Sequence, residues 1–499
     1  VTLAWQHILL LARLIKGAVV LFPITIKSSG KKLGYSELSR VIIDAAQSGR
    51  LPANSPLPPS RLLAESLGIS RDTVLRCYRH LRSLGWTESR GTRGTFITGS
   101  AKQFAAVTKR DVDAARLSSY ASRFVGDAVA VPASAAEPVI FGVVPRHFLP
   151  VRRWKSAIQR ATEGVTKQVS LYDQAVLGRS ELRAALSGFL NRSRGIPCEA
   201  DEVVIFGGSF PCLSLICRMF LEPGDQIAME EPGSGGVREV ASYLGLEVLP
   251  IELDGEGFSV DALQRCKKQV KAVYITANHQ EPTGIMMSLA RRKQLLSWAQ
   301  RNHAVIIEDD YDGHFHYGSN LPPSLKSMDV QDNVIYIASF WQILYPLTTL
   351  CFAVLPLPFV DIVHHGKLRT ASLAESSSQI ALAAMLDDGY LQKHVRKVER
   401  QLAARRRTVI YELKRSLGAN VHIPTQTCGM TLMSQFHNFA DNDLLEAARK
   451  SGLPITSTDV LYCDVAQRPA GQWSIYFPGL EEQAARKTIS NFADFLKDA

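Results

Sequence analysis

The chain has 499 residues, 46% of them hydrophobic and 21% charged, with a formal net charge of +10. At roughly 150 residues per domain this length allows two or three domains, and the composition is that of a soluble globular protein with ample core, not of a low-complexity chain. Its eight cysteines (77, 198, 212, 217, 266, 351, 428 and 463) form no C-x-x-C pair, which argues against a disulfide framework or a zinc site and for a reducing, cytoplasmic setting.

Residues 1–23 are an apolar extension. Within it Ile8–Phe22 is broken by Arg13 and Lys16. It is too short to span a bilayer comfortably and lacks a small-residue cleavage site, so it reads as an extra helix or as translation from an upstream start, with no membrane anchor. Gly34–Gly49 reads as a helix with Leu38, Val41, Ile42, Ala45 and Ala46 on one face. Ser60 begins a second, short helix with Leu62, Leu63 and Leu67 as its apolar positions, and Gly68 allows the tight turn that ends it. Ser70 can cap a third helix through its hydroxyl. There Val74, Cys77, Tyr78 and Leu81 fall at i, i+3, i+4, i+7, one buried stripe.

Arg71, Thr73 and Arg76 lie off that stripe near the helix start, where a helix-turn-helix places its base-reading side chains. Trp86–Ser89 and Thr95–Ile97 suit a two-stranded wing, with Arg90, Arg93, Gly91 and Gly94 at its tip. Glycines beside arginines let backbone come close to phosphate. Twelve Lys and Arg against five Asp and Glu between Lys27 and Gly99 put seven of the ten formal positive charges in this module. That is the electrostatic footprint of a nucleic-acid-binding domain, here a winged helix-turn-helix of α+β class over residues 24–99.

Residues 100–139 have linker composition, rich in Ala, Ser and Val with little periodicity. From Ile140 short apolar strands alternate with amphipathic helices. The strands are Val203–Phe206, Gln226–Met229, Glu247–Ile251, Ala272–Thr276, Val305–Glu308, Val334–Ala338 and Cys351–Leu355, with helices such as Ser180–Leu190 and Ala290–Arg301 between them. This is an α/β pattern with a mixed, mostly parallel sheet over 140–417, followed by a small C-terminal α+β lobe over 418–499. Ligands in such sheets sit at the carboxyl ends of strands, which points to Asp309–Tyr311 and Ser339–Gln342. Val395–Leu417 reads as a long basic helix whose Arg405–Arg407 face is solvated. His314 and His316 would share one side of a strand, but no metal site is expected there, and His364-His365 reads as a surface pair.

GRLPANSPLPPSRLLAESLGISRDTVLRCYRHLRSLGWTESRGTRGTFI resembles the winged helix-turn-helix of GntR-type regulators. The remainder resembles a fold-type I aminotransferase. The landmarks are LYDQAVLGRSELRAAL at Leu171–Leu186, EPG at Glu231–Gly233, HQEPTG at His279–Gly284, EDDYDGHFHY at Glu308–Tyr317, and HVRKVERQLAARRR from His394. Together they resemble the MocR/GabR subfamily of bacterial transcription regulators. The resemblance implies a regulator that binds double-stranded operator DNA, forms a head-to-tail homodimer, and senses pyridoxal phosphate or its adduct with a small amino compound. It carries DNA contact to Arg61, Ser70, Arg71, Thr73, Arg76, Arg93 and Gly94. It also makes Asp309 the partner of the cofactor's pyridine nitrogen, where a carboxylate keeps the ring an electron sink, and Tyr311 the partner of its phenolic oxygen.

Other matches fail together. The family expects Ser/Thr-x-Ser-Lys where this chain has Ser339-Phe340-Trp341-Gln342. Gln342 thus stands at the Schiff-base lysine's place, and an amide cannot form that bond. Thr349 stands for a phosphate-binding arginine and Trp341 for a small hydroxyl residue. Phe210 and Pro211 replace a Gln-rich turn, Pro211 lacking an amide proton, and Ser234 replaces the aromatic that stacks on the cofactor. Neither Lys326 nor Lys367 lies on the strand-end turn. The expectation is a regulator with a vestigial effector pocket (Ser234, His279, Asp309, Tyr311, Gln342), no catalytic residues, no metal and no covalently held pyridoxal phosphate. The competing reading is a pyridoxal-phosphate-dependent aminotransferase with a DNA-binding head.

Overall fold

Apolar residues spaced three and four apart build three helices near the N-terminus. A computed structural model describes residues 18–21, 24–27, 34–47, 50–98, 117–124, 142–165, 176–317, 322–370, 373–424 and 428–497. The chain divides into two units, Val1–Arg116 and Leu117–Ala499.

In the first unit, strands β1 (Ala18–Leu21) and β2 (Ile24–Lys27) pair antiparallel. The end of the apolar extension is therefore a strand and not the expected helix, because its valines favour a pleated backbone; residues 1–17 lie outside the described residues. Helix α1 (Tyr35–Gln47) buries Leu38, Ile42 and Ala45, with Val41 and Ala46 only half-buried. In α2 (Ser60–Leu67) the buried pair is Leu63 and Ala64, while Leu62 and Leu67 are half-buried. Gly68 closes α2 at φ 63°, a left-handed conformation that suits glycine. Helix α3 (Arg71–Ser83) buries Val74, Cys77, Tyr78 and Leu81. Tyr78 donates its hydroxyl to the Pro58 carbonyl at 2.7 Å, tying α3 to the segment ahead of α2. The wing strands β3 (Thr87–Ser89) and β4 (Thr95–Ile97) follow, and Trp86 and Ile97 complete the core. Leu81 has 0% exposure, so Leu81→Ala is expected to cost about 2–5 kcal/mol. In a calorimetric scan it should lower the melting of this unit and leave the larger unit's transition in place.

The second unit opens with a helical turn, Ser119–Ser122. Its elements continue with α4 (Val151–Val165), α5 (Ser180–Ser193), β5 (Val203–Phe206), α6 (Ser209–Phe220), β6 (Gln226–Glu231), α7 (Gly235–Leu244), β7 (Glu247–Asp254), β8 (Gly257–Phe258) and β9 (Val270–Ile275). Then come α8 (Leu289–Asn302), β10 (Val305–Asp309), β11 (Val334–Ser339), β12 (Cys351–Val354), α9 (Leu357–Thr370), α10 (Ser376–Asp387) and α11 (Tyr390–Leu417). The eight-stranded sheet has the order β5-β12-β11-β10-β9-β6-β7-β8. From β11 through β10, β9 and β6 to β7 every pairing is parallel, while β12 runs antiparallel to both β11 and β5. Alternate strand residues feed cores on both faces. Val204, Phe206, Ile307, Ile335 and Ile337 meet α6 and α9, whereas Val203, Ile205, Tyr336, Ala338 and Phe352 meet α5, α10 and α11. The C-terminal lobe is an antiparallel sheet, β13 (Val421–His422), β14 (Thr431–Phe436), β16 (Gln472–Tyr476) and β15 (Ile455–Ser457) in that order, with helices α12 (Asp441–Ser451) and α13 (Glu482–Lys497).

Three expectations are corrected. Part of the supposed linker is anchored: Phe124 stacks on Tyr243 of α7 with ring centroids 4.0 Å apart, and Arg123 donates to the Tyr243 carbonyl at 2.8 Å. The long helix begins at Tyr390, after Gly389 turns the chain at φ 66°. Its arginines are not simply a solvated face. Arg405 lies over the Phe148 ring, bonds the Pro478 carbonyl and pairs with Glu481, and Arg406 lies over Tyr317, because long side chains can lay apolar stems on aromatic rings. No helix among the described residues is long and apolar enough to cross a membrane.

Candidate functional site

On the first unit, Ser70 caps α3: its hydroxyl accepts the Thr73 amide at 3.1 Å and shares a 2.8 Å hydrogen bond with the Thr73 hydroxyl. Thr73 is therefore half-buried and spent on the helix end. Arg61, Arg71 and Arg76 are exposed. Arg71 sits with Nε 3.4 Å from Ser60 Oγ, and Arg76 pairs with Asp72 at 2.7 Å. Such an exposed i, i+4 pair is worth only about 0.3–0.5 kcal/mol, so Arg76 can leave it for a better acceptor. Arg79, one turn on, also reaches Asp72 at 4.0 Å and belongs to this face, though the helix-start argument alone does not single it out. The wing arginines differ. Arg90 is held by Glu88 and Asn54 and lies over Phe96, a strut for the hairpin, whereas Arg93 is exposed at the tip beside Gly94, whose φ of 105° and ψ of −162° suit a glycine.

On the second unit, the parallel strands bring their carboxyl ends to one edge, so residues far apart in sequence meet there. Asp309 ends β10, Gln342 follows β11, His279 and Glu281 follow β9, and Ser234 follows β6. Asp309 accepts the Tyr274 hydroxyl at 2.7 Å. Burial pushes its carboxyl up to about 7, against the pull of that hydrogen bond. His279 Nδ1 lies 2.8 Å from Asp312 Oδ2 and 3.1 Å from the Tyr311 hydroxyl, and the two rings stack at 5.7 Å. The buried Gln342 carboxamide faces the same Asp312 carboxylate, and Glu281 meets the Ser234 hydroxyl. Gly429 roofs the pair at φ 86°; a Cβ there would fall 2.4 Å from His279 Cε1.

Asp312, Glu281, Tyr274 and the roof were not legible in the sequence as pocket residues. Asp312 and Glu281 do lie inside quoted landmarks, so their acidity was the available signal.

Burial works against a charge on His279, but the Asp312 hydrogen bond, joined by Cys428, prevails and raises it to about 10 from 6.5. A raised base of this kind stabilises the fold fully below its unfolded value and loses that contribution as pH climbs through about 10. His279→Gln is accordingly expected to flatten the decline in melting temperature of the larger unit between pH 7 and 10, which a melting series in that range checks.

The other residues of interest are placed as follows. The Thr349 hydroxyl donates to the Gly207 carbonyl at 2.6 Å, Phe210 is 57% exposed, and the Trp341 ring lies against Gly142. His314 bonds the Ser339 carbonyl through Nε2 and stacks on Phe340, while His316 is half-buried and in no strand, so the two do not form the paired strand positions expected. His365 bonds the Asp361 carbonyl on α9. Lys326 is buried at the turn that bonds Glu308. Lys367 is buried with its ammonium on the Val176 carbonyl and 5.4 Å from the centre of the Phe206 ring.

A winged helix-turn-helix joined in sequence to a mixed-sheet domain with a small antiparallel lobe defines a DNA-binding regulator fused to an aminotransferase-like domain. Residues 144–470 match the aminotransferase class I and II family, and residues 35–97 match the gntR family of bacterial regulatory proteins. The chain belongs to the aminotransferase class I and II family, carries a gntR-family module ahead of that domain, and is a regulator of the MocR type. It is 29% identical to the uncharacterized HTH-type transcriptional regulator YdeL of Bacillus subtilis, over 91% of this chain and 95% of that one. It is 28% identical to the probable rhizopine catabolism regulatory protein MocR of Rhizobium meliloti, over 81% and 82%. The multiple substrate aminotransferase of Thermococcus profundus shares its fold, with a TM-score of 0.68 at 24% identity, over 77% of this chain and 98% of that one.

Proposed function

We propose that this chain is a cytoplasmic, sequence-specific regulator in which Arg71 and Arg76 read base edges in the major groove. Ser70 and Thr73 fix the helix end, and Arg61, Arg93 and Gly94 meet the flanking backbone. The boundaries we assign are 24–99 for the DNA-binding module, 140–417 for the large domain and 418–499 for its lobe. The observation that carries the reading is a capped helix with exposed arginines in its first two turns, beside a wing whose tip exposes Arg93. The larger unit serves as a head-to-tail dimerising sensor that spaces two such modules on DNA. A ligand acts by binding one spacing better than another.

Pyridoxal phosphate, the group the family implies, does not fit the residues of this pocket as a covalent cofactor. Gln342 offers no amine, and among the described residues its Oε1 is buried without a hydrogen-bond partner. Asp309 is already engaged by Tyr274, and the Thr349 hydroxyl is turned onto a carbonyl. Losing the cup removes charge-assisted hydrogen bonds worth roughly 1.5–3 kcal/mol each. Band shifts with the chain's own upstream region at physiological salt test the DNA reading, and no sequence-selective shift with dimer present refutes it. An absorbance spectrum with intact mass tests the cofactor reading. A band near about 420 nm that borohydride fixes to a lysine would establish instead the aminotransferase with a DNA-binding head, which the family match over 144–470 favours.

A further inference from the structure

We infer that the exposed face of helix α11 is a second contact surface for double-stranded DNA, one that grips the phosphate backbone without reading sequence. This rests on the DNA-binding reading above. Tyr390–Leu417 holds nine Lys and Arg against two Glu. The helix packs on the core through Leu391, Val398, Leu402, Val409 and Leu413. At about 3.6 residues per turn, Lys393, Arg396, Lys397, Arg400, Arg407 and Lys414 gather on the opposite side, and all six are exposed. Neither acid of the helix relieves them. Glu399 accepts the His316 amide, and Glu412 pairs with Arg415 and Arg486. Among the described residues none of the six cations has an acidic partner.

Like charges three and four apart, as in Lys393 with Lys397 and Arg396 with Arg400, work against a helix, so the row is suited to an external polyanion. It runs for about 30 Å, the length of about nine base pairs. A groove of about 470 Å³ opens beside it, where Arg152 of α4 and Lys397 of α11 share the lining with His147 and His394. Arg400 lays its Nε on the Arg396 carbonyl at 3.3 Å, which keeps both its Nη groups for an outside acceptor. Duplex DNA is the polyanion these features fit. A membrane surface would need the apolar side of the helix, which is spent in the core. Single strands would need aromatic platforms, and among the described residues Tyr411 is the one large aromatic the helix exposes. Cations on long stems meet phosphates and carry no sequence information.

Fluorescence anisotropy of the full chain across a salt series, on the chain's own upstream region and on a long duplex of arbitrary sequence, tests the inference. The triple variant Arg396→Gln, Lys397→Gln, Arg400→Gln is expected to lower the slope of log affinity against log salt by about two to three and affinity by about tenfold or more, equally on both duplexes. The control triple Lys267→Gln, Lys293→Gln, Lys487→Gln removes the same charge from exposed positions elsewhere and should leave the slope as it is. The first triple should also melt no lower than wild type, since repulsion within the helix is relieved. An unchanged slope overturns the inference, and so does an equal change in both triples. Loss of binding to phosphatidylglycerol vesicles with DNA binding intact overturns it too. If the first triple unfolds, Lys397→Gln alone decides, with an expected drop in slope of about one. A selective shift of the upstream region whose slope the stripe variants do not move refutes this inference and leaves the regulator reading standing. A stripe-dependent slope with no selective shift does the reverse.

Discussion

Replacing Arg71 with alanine is expected to weaken operator binding by about 5- to 150-fold, the 1–3 kcal/mol of a lost base contact, and to relax sequence preference at one position of each half-site. The expectation follows from where the side chain stands. Arg71 is the first residue of a helix whose end is fixed by Ser70, so its backbone is ordered before DNA arrives. It is exposed, and its guanidinium gives up only a 3.4 Å contact with Ser60 on binding. Arg93 at the wing tip should behave differently. Its loss is expected to lower affinity evenly across sequences and to reduce the slope of log affinity against log salt by about one. Fluorescence anisotropy with operator and scrambled duplexes at several salt concentrations separates the two. Equal losses on both duplexes for Arg71→Ala would remove it from base reading.

Arg292→Met should destabilise the larger unit by about 3–5 kcal/mol, because it strands a buried carboxylate. Arg292 has 0% exposure and sits 3.9 Å from Glu308. Its guanidinium donates to the Met287, Pro323 and Ala277 carbonyls and to the Asn278 side chain at 2.8–3.2 Å. Those bonds stitch the loop after β9 to the segment before Leu325, and Glu308 completes the seam by accepting the Leu325 and Lys326 amides at 2.8 Å each. Burial already pushes Glu308 up to about 7, against the opposing pull of Arg292. The double variant Arg292→Met with Glu308→Leu should recover part of the loss, since two apolar groups leave no uncompensated charge. Calorimetry on the single and double variants gives the comparison, and a single-variant loss under about 1 kcal/mol would contradict the account.

The strands were legible because each carries a continuous run of β-branched and apolar residues. Their ends were less so: β6 runs on to Glu231, paired with Glu252 of β7, because ladder bonds are made by backbone and continue past the apolar run. The helix-turn-helix was read almost residue by residue, since its capping hydroxyl, stripe and glycine turn are all local features. The pocket was legible only where it coincided with landmarks such as Asp309, Tyr311 and Gln342. Tyr274, 35 residues before the carboxylate it bonds, gave no local sign, because the sheet's parallel pairing is what makes them neighbours. Arg405 failed for the same reason: whether a helical arginine meets water or an aromatic ring depends on a partner brought from elsewhere in the chain.

The two ends of helix α7 make different contacts. Ser234, its cap, touches Glu281, and Tyr243 in its final turn grips Arg123 and Phe124 of the peptide that follows the DNA-reading unit in sequence. Ten residues of helix make a stiff push-rod of about 15 Å. No hinge interrupts the helix between the Ser234 end and the contact with Arg123 and Phe124.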